Sequence, residues 1–226
     1  MKFNVVIILS FVLFFSCTKK NEEPVSPIIN MDYFPTKIGV SLEYNVTEIN
    51  IDKAVSVFDT LNYQLKEYFE STFVDDEGNT NYRIERYYKN ETDSVWKVLN
   101  IWYVTVSGNS IFKTEDNFRY KRLIFPVKLG NTWDGNVENT KKTNEYKITD
   151  IDISEPIGTE NYSNVLVVLQ NDNENLIEKQ FAIEKYVKNK GLAYKEIIDI
   201  SELEPQPGIP WEQRINVGYI YKQTLR

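Results

Sequence analysis

The sequence contains no histidine and a single cysteine, Cys17, in 226 residues. Without histidine the chain cannot build a Ser–His–Asp or Cys–His nucleophile or a His-ligated zinc or iron site. It also lacks the side chain that titrates most readily near neutral pH. With one cysteine it can close no intramolecular disulfide and assemble no multi-cysteine metal centre. No metal site and no cofactor are therefore expected. Basic side chains are in deficit as well, 26 Lys and Arg against 33 Asp and Glu, for a net charge of −7. An acidic surface repels phosphate backbones and anionic lipid heads, so nucleic acid is not an expected partner. Long apolar runs are scarce. The most prominent, Val5 to Phe15, falls well short of the ~20 residues that a helix needs to cross a bilayer.

That run follows Lys2 and ends at small Ser16, just before Cys17. Positive charge, apolar segment and small residue are the three parts of an export signal, so residues 1–16 read as a signal peptide. Leu13-Phe14-Phe15-Ser16-Cys17 resembles the lipobox of bacterial lipoproteins, with Phe14 standing where leucine is usual. The resemblance implies that Cys17 becomes the first mature residue and carries acyl chains of the palmitate kind. The membrane would then be reached through lipid rather than through surface charge. Residues 17–32 are polar and Pro-bearing, with no apolar period, and read as a flexible tether. Within them, Lys19-Lys20-Asn21-Glu22-Glu23 reads either as a plain solvated linker or as the short charged signal that sends some Bacteroidetes-type lipoproteins to the cell surface. The expected location is the outer membrane, facing the periplasm or the outside.

From residue 38 the texture changes to short alternating runs rich in Val, Ile, Tyr, Phe and Thr. Val40, Leu42, Tyr44 and Val46 alternate with polar neighbours, the period of a half-buried strand. Tyr63, Leu65 and Phe69 continue the pattern, Asp76-Glu77-Gly78-Asn79 reverses the chain, and Tyr82, Ile84 and Tyr88 return it. Val95 to Val106 is so nearly apolar throughout that cover on both faces is expected. Further strands are expected over 118–124, 145–153, 165–169, 176–187, 192–200 and 219–225, with turns at 155–158, 171–175 and 188–191. About ten strands and no long helix predict one all-β domain over 33–226, an antiparallel β-sandwich or a barrel or half-barrel.

One internal echo stands out. Phe34-Pro35-Thr36-Lys37-Ile38-Gly39 and Phe125-Pro126-Val127-Lys128-Leu129-Gly130 share the form Phe-Pro-x-Lys-aliphatic-Gly. Either one loop chemistry has arisen twice, or the domain has two halves, 33–124 and 125–226. The segment Asp32 to Gly39 behind a tether, with Tyr82 to Tyr87, Phe125 to Asn136 and Lys190 to Lys195, resembles a group of uncharacterised Bacteroidetes-type lipoproteins. That resemblance implies an exported, lipid-anchored single domain and transfers no catalytic residue.

Chemistry has few footholds. Asp150 and Asp152 would share one face of a strand, about 7 Å apart at two residues' spacing, and glycoside hydrolysis needs only two carboxylates. Asn171 to Asn175 offers the oxygen ligands calcium prefers, but without the spacing of a helix–loop–helix site, so it reads as a turn. Trp96 and Trp102 have matching parity, with Val98, Asn100 and Val104, and could stack on a sugar or pack in the core. Trp211 lies in the irregular, Pro-rich stretch 204–216 and is a candidate loop contact or a plug at one end of a barrel. The function expected is a non-catalytic binding or assembly module for a glycan, an apolar ligand or an envelope protein. The alternatives are a carboxylate-dependent glycan-processing enzyme and a structural surface-display protein.

Overall fold

The computed structural model describes residues 31–90 and 92–226. The export signal, Cys17 and most of the tether lie outside the described residues. Twelve strands form a single antiparallel sheet that nearly closes into a barrel. They are β1 (Ser41–Asp52), β2 (Val57–Val74), β3 (Thr80–Asn90), β4 (Lys97–Ser107), β5 (Ser110–Glu115), β6 (Phe118–Ile124), β7 (Thr132–Asp134), β8 (Glu145–Ile157), β9 (Glu160–Glu174), β10 (Lys179–Val187), β11 (Gly191–Leu203) and β12 (Ile215–Leu225). The order across the sheet is β6-β5-β4-β3-β2-β1-β12-β11-β10-β9-β8-β7, so two six-strand meanders meet where β1 pairs β12.

The turns follow from local chemistry. Asp116 and Asn117 both take positive φ (48° and 68°) in the two-residue link between β5 and β6, as a type I′ hairpin requires. At the β2–β3 tip, Asp75 accepts from the backbone N–H of Glu77 (3.1 Å) and Asn79 (2.8 Å), with Gly78 in the left-handed region. The two Phe-Pro-x-Lys-aliphatic-Gly segments make the same bonds. The Gly39 N–H donates to Phe69 O (2.8 Å) and the Phe69 N–H to Val40 O (3.0 Å); the Gly130 N–H donates to Ile148 O (2.9 Å) and the Ile148 N–H to Asn131 O (3.0 Å). Each segment thus leads its chain onto the first strand of a meander and clamps it to the second.

The two joints between the meanders differ. β1 and β12 are zipped over nine residue pairs, Tyr44↔Leu225 to Asp52↔Val217. At the other joint β7 is three residues long, and the stretch after it covers the edge of β6. The Lys121 N–H donates to Gly135 O (2.9 Å), Trp133 Nε1 to Lys121 O (2.8 Å) and Asn139 Nδ2 to Arg119 O (3.0 Å). Gly135 is required there, since a Cβ would stand 2.3 Å from the Tyr146 ring.

Four expectations need correction. The turn expected over 155–158 is confined to Gly158 and Thr159, because β8 stays paired with β9 as far as Ile157. β4 is not covered on both faces: Val98 is 70% exposed, and Ile101 is also exposed. The stretch 171–174 continues β9, and the chain reverses at Asn175, whose Oδ1 accepts from the N–H of Ile177 and Glu178. β7 carries no alternating run and was not expected.

The interior has a layered core. Phe69, Ile84, Val104, Ile111, Leu123 and Ile148 pack with Phe125, Trp133, Tyr186 and the incoming Tyr33 and Phe34, filling the end of the barrel where the described chain begins. Outside the second meander, the arm of the β8–β9 hairpin folds back, bent at Asp152 and Asn164 (φ 56° and 62°), so that Ile153, Ile157 and Tyr162 cover Val165, Val167 and Val187.

Candidate functional site

Going up the barrel from that apolar end, the inward positions turn from hydrocarbon to charge. On β2 the inward series is Leu65, Glu67, Phe69; on β3 Arg86 follows Ile84; on β5 Lys113 and Glu115 follow Ile111; on β10 Glu184 precedes Tyr186. Alternation alone carries these five inward. Two more arrive through β-bulges. Ile111 pairs Leu123 but Phe112 pairs Lys121, which leaves Arg122 as the extra residue. Tyr186 pairs Leu192 but Lys185 pairs Tyr194, which makes Ala193 the extra residue and lets both Leu192 and Lys195 face inward.

The result is a belt of four cations and three carboxylates, none with a side chain more than 12% exposed. Glu67 is held by Arg86 Nε (3.0 Å) and, through both oxygens, by Lys113 Nζ (3.1 Å each). Arg122 bridges Glu115 (2.8 Å) and Glu184 (3.3 Å), and Glu184 also accepts from Tyr186 OH (2.5 Å). Lys195 is held most loosely, at 3.4 Å from Glu184 and 3.7 Å from Glu115. Both distances exceed the ~2.7–2.9 Å of a charge-assisted hydrogen bond.

Burial opposes ionisation at Glu67, Glu115 and Glu184, yet the surrounding cations outweigh it. Lys113 and Arg86 lower Glu67, Arg122 and Lys195 lower both Glu115 and Glu184, and all three stay below the ordinary glutamate value. Lys195 moves the other way for a lysine. Burial lowers its proton affinity, Glu115 and Glu184 restore part of it, and Arg122 and Lys113 take more away. The Lys195–Glu184 pair is therefore lopsided, firm for the carboxylate and weak for the amine, because burial works against the ammonium and the neighbouring Arg122 and Lys113 add to it. Tyr44 and Tyr221, buried beside the belt, are pushed well above the usual phenol range by desolvation.

The belt divides the interior. On its apolar side is a void of about 20 Å³, room for about one water molecule. On the other side is a cavity of about 550 Å³ that opens to solvent. Its floor is Glu67, Arg86, Lys113, Glu115 and Lys195; its walls are Tyr63, Tyr88, Ile197, Tyr219, Tyr221 and Trp102; exposed Leu61, Leu99 and Asp116 stand at the mouth. Two wall carboxylates have neutral partners. Glu48 accepts from Tyr63 OH (3.0 Å) and Tyr219 OH (3.4 Å), and Asp116 accepts from Asn100 Nδ2 (3.2 Å) and Trp102 Nε1 (3.1 Å). Gln223, 3% exposed, accepts from Tyr221 OH (2.7 Å) through Oε1, while its Nε2 makes no hydrogen bond among the described residues.

The three tryptophans singled out from the sequence do not meet. Trp102 stands in the cavity wall, with the Arg86 guanidinium 3.4 Å from its ring centroid and Lys113 Nζ at 4.8 Å. Trp96 precedes β4 on the outside, between Lys66 and Lys89. Its expected parity with Trp102 fails because Arg86 pairs Asn100 and Tyr87 pairs Val98, so Leu99 is an extra residue and the alternation shifts. Trp211 lies in a 3-10 turn (Trp211–Gln213) against the outer cluster of Ile51, Ile198 and Ile200, away from the cavity, with Lys179 over its ring. Arg214 staples that stretch by donating to the carbonyls of Ile209, Leu176 and Glu204.

The Asp150–Asp152 pairing also dissolves. Asp152 takes a left-handed conformation at the bend, accepts from Tyr33 OH (2.5 Å) and pairs with Lys188 (2.6 Å), which together hold its carboxyl below the usual range. Among the described residues no group of three or more Cys, Asp or Glu could hold a metal ion, and no helix is long and apolar enough to cross a membrane.

The belt was missed in the sequence, although part of it left a signal. Glu67 between Leu65 and Phe69, Arg86 beyond Ile84, and Glu184 before Tyr186 are charges at apolar parity. Arg122 and Lys195 left none, because their inward direction depends on bulges.

No protein-family profile matches this sequence, and no curated protein matches it either. Two solved structures are similar in fold. One is a Bacteroides fragilis protein classed as exported, with a YmcC-like fold (TM-score 0.46, 10% identity, 85% of this chain and 98% of that one). The other is a Parabacteroides distasonis protein classed as a lipoprotein (TM-score 0.39, 9% identity, 86% and 98%).

Proposed function

We propose that the protein is an exported, lipid-anchored binding module, non-catalytic, that holds one small amphipathic molecule in its interior cavity. The observation that carries this reading is the position of the cavity, which lies between aromatic and aliphatic walls and a floor of buried ion pairs with one cation in excess. A rigid concave site with apolar walls and a few converging polar groups is the common form of a small-molecule pocket.

The charge states favour binding over glycan cleavage. A glycosidase pair needs one carboxylic acid kept neutral and one ionised. Here all three buried carboxylates are held ionised by neighbouring cations. A sugar stacked on Trp102 is also disfavoured, because Arg86 already lies against that ring. An amphiphile uses what remains, the apolar walls and the polar floor.

The test is titration of the purified protein with the neutral fluorophore N-phenyl-1-naphthylamine. Saturable binding of one molecule per chain, lost in Ile197→Arg with the circular dichroism spectrum unchanged, is the expected result. Absence of saturable binding by the folded protein overturns the reading.

A further inference from the structure

From the cavity floor we infer that the ligand carries a single negative charge, in the form of a carboxylate head that docks between Lys195 and Gln223 with its apolar body towards Leu61 and Leu99. This rests on the cavity-binding reading above and adds the chemical class of the ligand.

Three observations point the same way. The belt holds four cations, Arg86, Lys113, Arg122 and Lys195, against three carboxylates, Glu67, Glu115 and Glu184, all buried. A buried charge without a full partner is expensive, and one further anion would balance the set. Lys195 is the cation left short: its carboxylate neighbours stand at 3.4 and 3.7 Å, whereas Arg122 has Glu115 at 2.8 Å and Lys113 has both oxygens of Glu67 at 3.1 Å. Beside it, Gln223 Nε2 is a buried donor that makes no close hydrogen bond among the described residues, with the Tyr44 hydroxyl near enough to feel its N–H.

These two donors belong together. Lys195 and Gln223 are directly opposite on β11 and β12, both face inward and both line the cavity. Side chains so placed have Cβ atoms only about 4.5–5.5 Å apart. One carboxylate can therefore take an N–H from the amide and another from the ammonium, satisfying both. A phosphate dianion would overshoot the single excess charge, and an alcohol would leave it unbalanced.

The walls set the orientation. Glu48 and Asp116 sit nearer solvent, each occupied by two neutral donors, so the carboxylates without a cation partner are at the rim and the excess cation is at the bottom. Leu61 and Leu99, exposed at the mouth, meet the end of the ligand that leaves the floor.

The experiment is isothermal titration calorimetry of the protein with decanoate, 1-decanol and decylamine near neutral pH. The expected result is decanoate bound at least about tenfold more tightly than decanol, the size of one charge-assisted contact, with decylamine weakest. In Lys195→Met the preference for decanoate over decanol should vanish while decanol binding persists. Gln223→Leu, which keeps the charge belt intact, should reduce the preference in the same direction and covers the case in which Lys195→Met fails to fold. Equal affinity for decanoate and decanol in the unaltered protein overturns the anionic head while leaving the cavity reading intact. Tighter binding of decylamine overturns it as well. If none of the three binds while N-phenyl-1-naphthylamine does, the carboxylate class is wrong, and if neither probe set binds, the cavity reading itself falls.

Discussion

The two ends of this barrel are built from the same strands and behave as opposites. At one end each strand contributes hydrocarbon, and Phe34 and Phe125 close the interior over Ile84, Ile111, Leu123 and Ile148. Two to four residues further along the same strands the inward positions carry Glu67, Arg86, Lys113, Glu115 and Glu184, and beyond them the interior is open. Burial of aliphatic and aromatic surface holds the first end without reference to pH or salt. The second end stands only while its charges compensate one another. The closed end makes the barrel stable, and that stability allows an ion-paired floor to be kept around an empty volume.

Acid should separate the ends most sharply. Glu67, Glu115 and Glu184 have folded-state proton affinities below the ordinary glutamate value of 4.5. Groups depressed in this way contribute stability that is fully present above 4.5 and is lost as pH falls through their folded values. Urea midpoints are therefore expected to be level from pH 7 down to about 4.5 and to fall steeply below it, as all three carboxylates take up protons. Lys195, also depressed, contributes with the opposite sign but the same slope: its charge costs stability at neutral pH, and the cost fades as pH rises towards 10.5. A flat acid limb would mean that the belt is not ionised as described.

Single substitutions come next in size. Arg122→Met removes the cation shared by Glu115 and Glu184 and should cost about 3–5 kcal/mol, the usual penalty for orphaning a buried charge. Its loss should shrink at low pH, where the two carboxylates deprived of Arg122 take up protons in the variant while the unaltered protein loses the advantage of its ionised pair. Leu123→Ala, one residue away and in the apolar layer, should cost about 2–5 kcal/mol for the cavity it leaves. That cost should be the same at every pH. Denaturant curves for the two variants at pH 7 and pH 3.5 test the contrast directly, and parallel pH behaviour would break it.

The all-β class, most of the strands and the equivalence of the two Phe-Pro-x-Lys-aliphatic-Gly segments were legible in the sequence, because alternation and turn residues are local properties. The belt was legible only where alternation runs undisturbed. Glu67 lies two residues from Leu65 and from Phe69, so its inward direction follows from parity. Arg122 is adjacent to inward Leu123 and Lys195 is three residues from inward Leu192, so parity assigns both to the outside. The bulges that turn them inward have no residue signature. The same effect separated Trp96 from Trp102, since Leu99 is an extra residue between them. Short β7 was illegible for another reason: three residues cannot show a period.

The smallest effect on stability is expected at the mouth, and there the comparison between the ends becomes functional. Leu61 is 53% exposed and Leu99 42% exposed, so neither contributes much to folding. Replacing both with serine should change the unfolding free energy by no more than about 0.5 kcal/mol each, the ordinary range for surface positions. Both nonetheless line the cavity where the apolar part of a ligand would leave the floor. Each should therefore weaken decanoate binding several-fold while the preference of decanoate over decanol stays unchanged, since the head still meets Lys195 and Gln223. Calorimetry on the double variant reads both quantities at once. A lost preference with an intact affinity would place the head at the mouth and the tail on the floor, reversing the orientation argued from the unmatched donors.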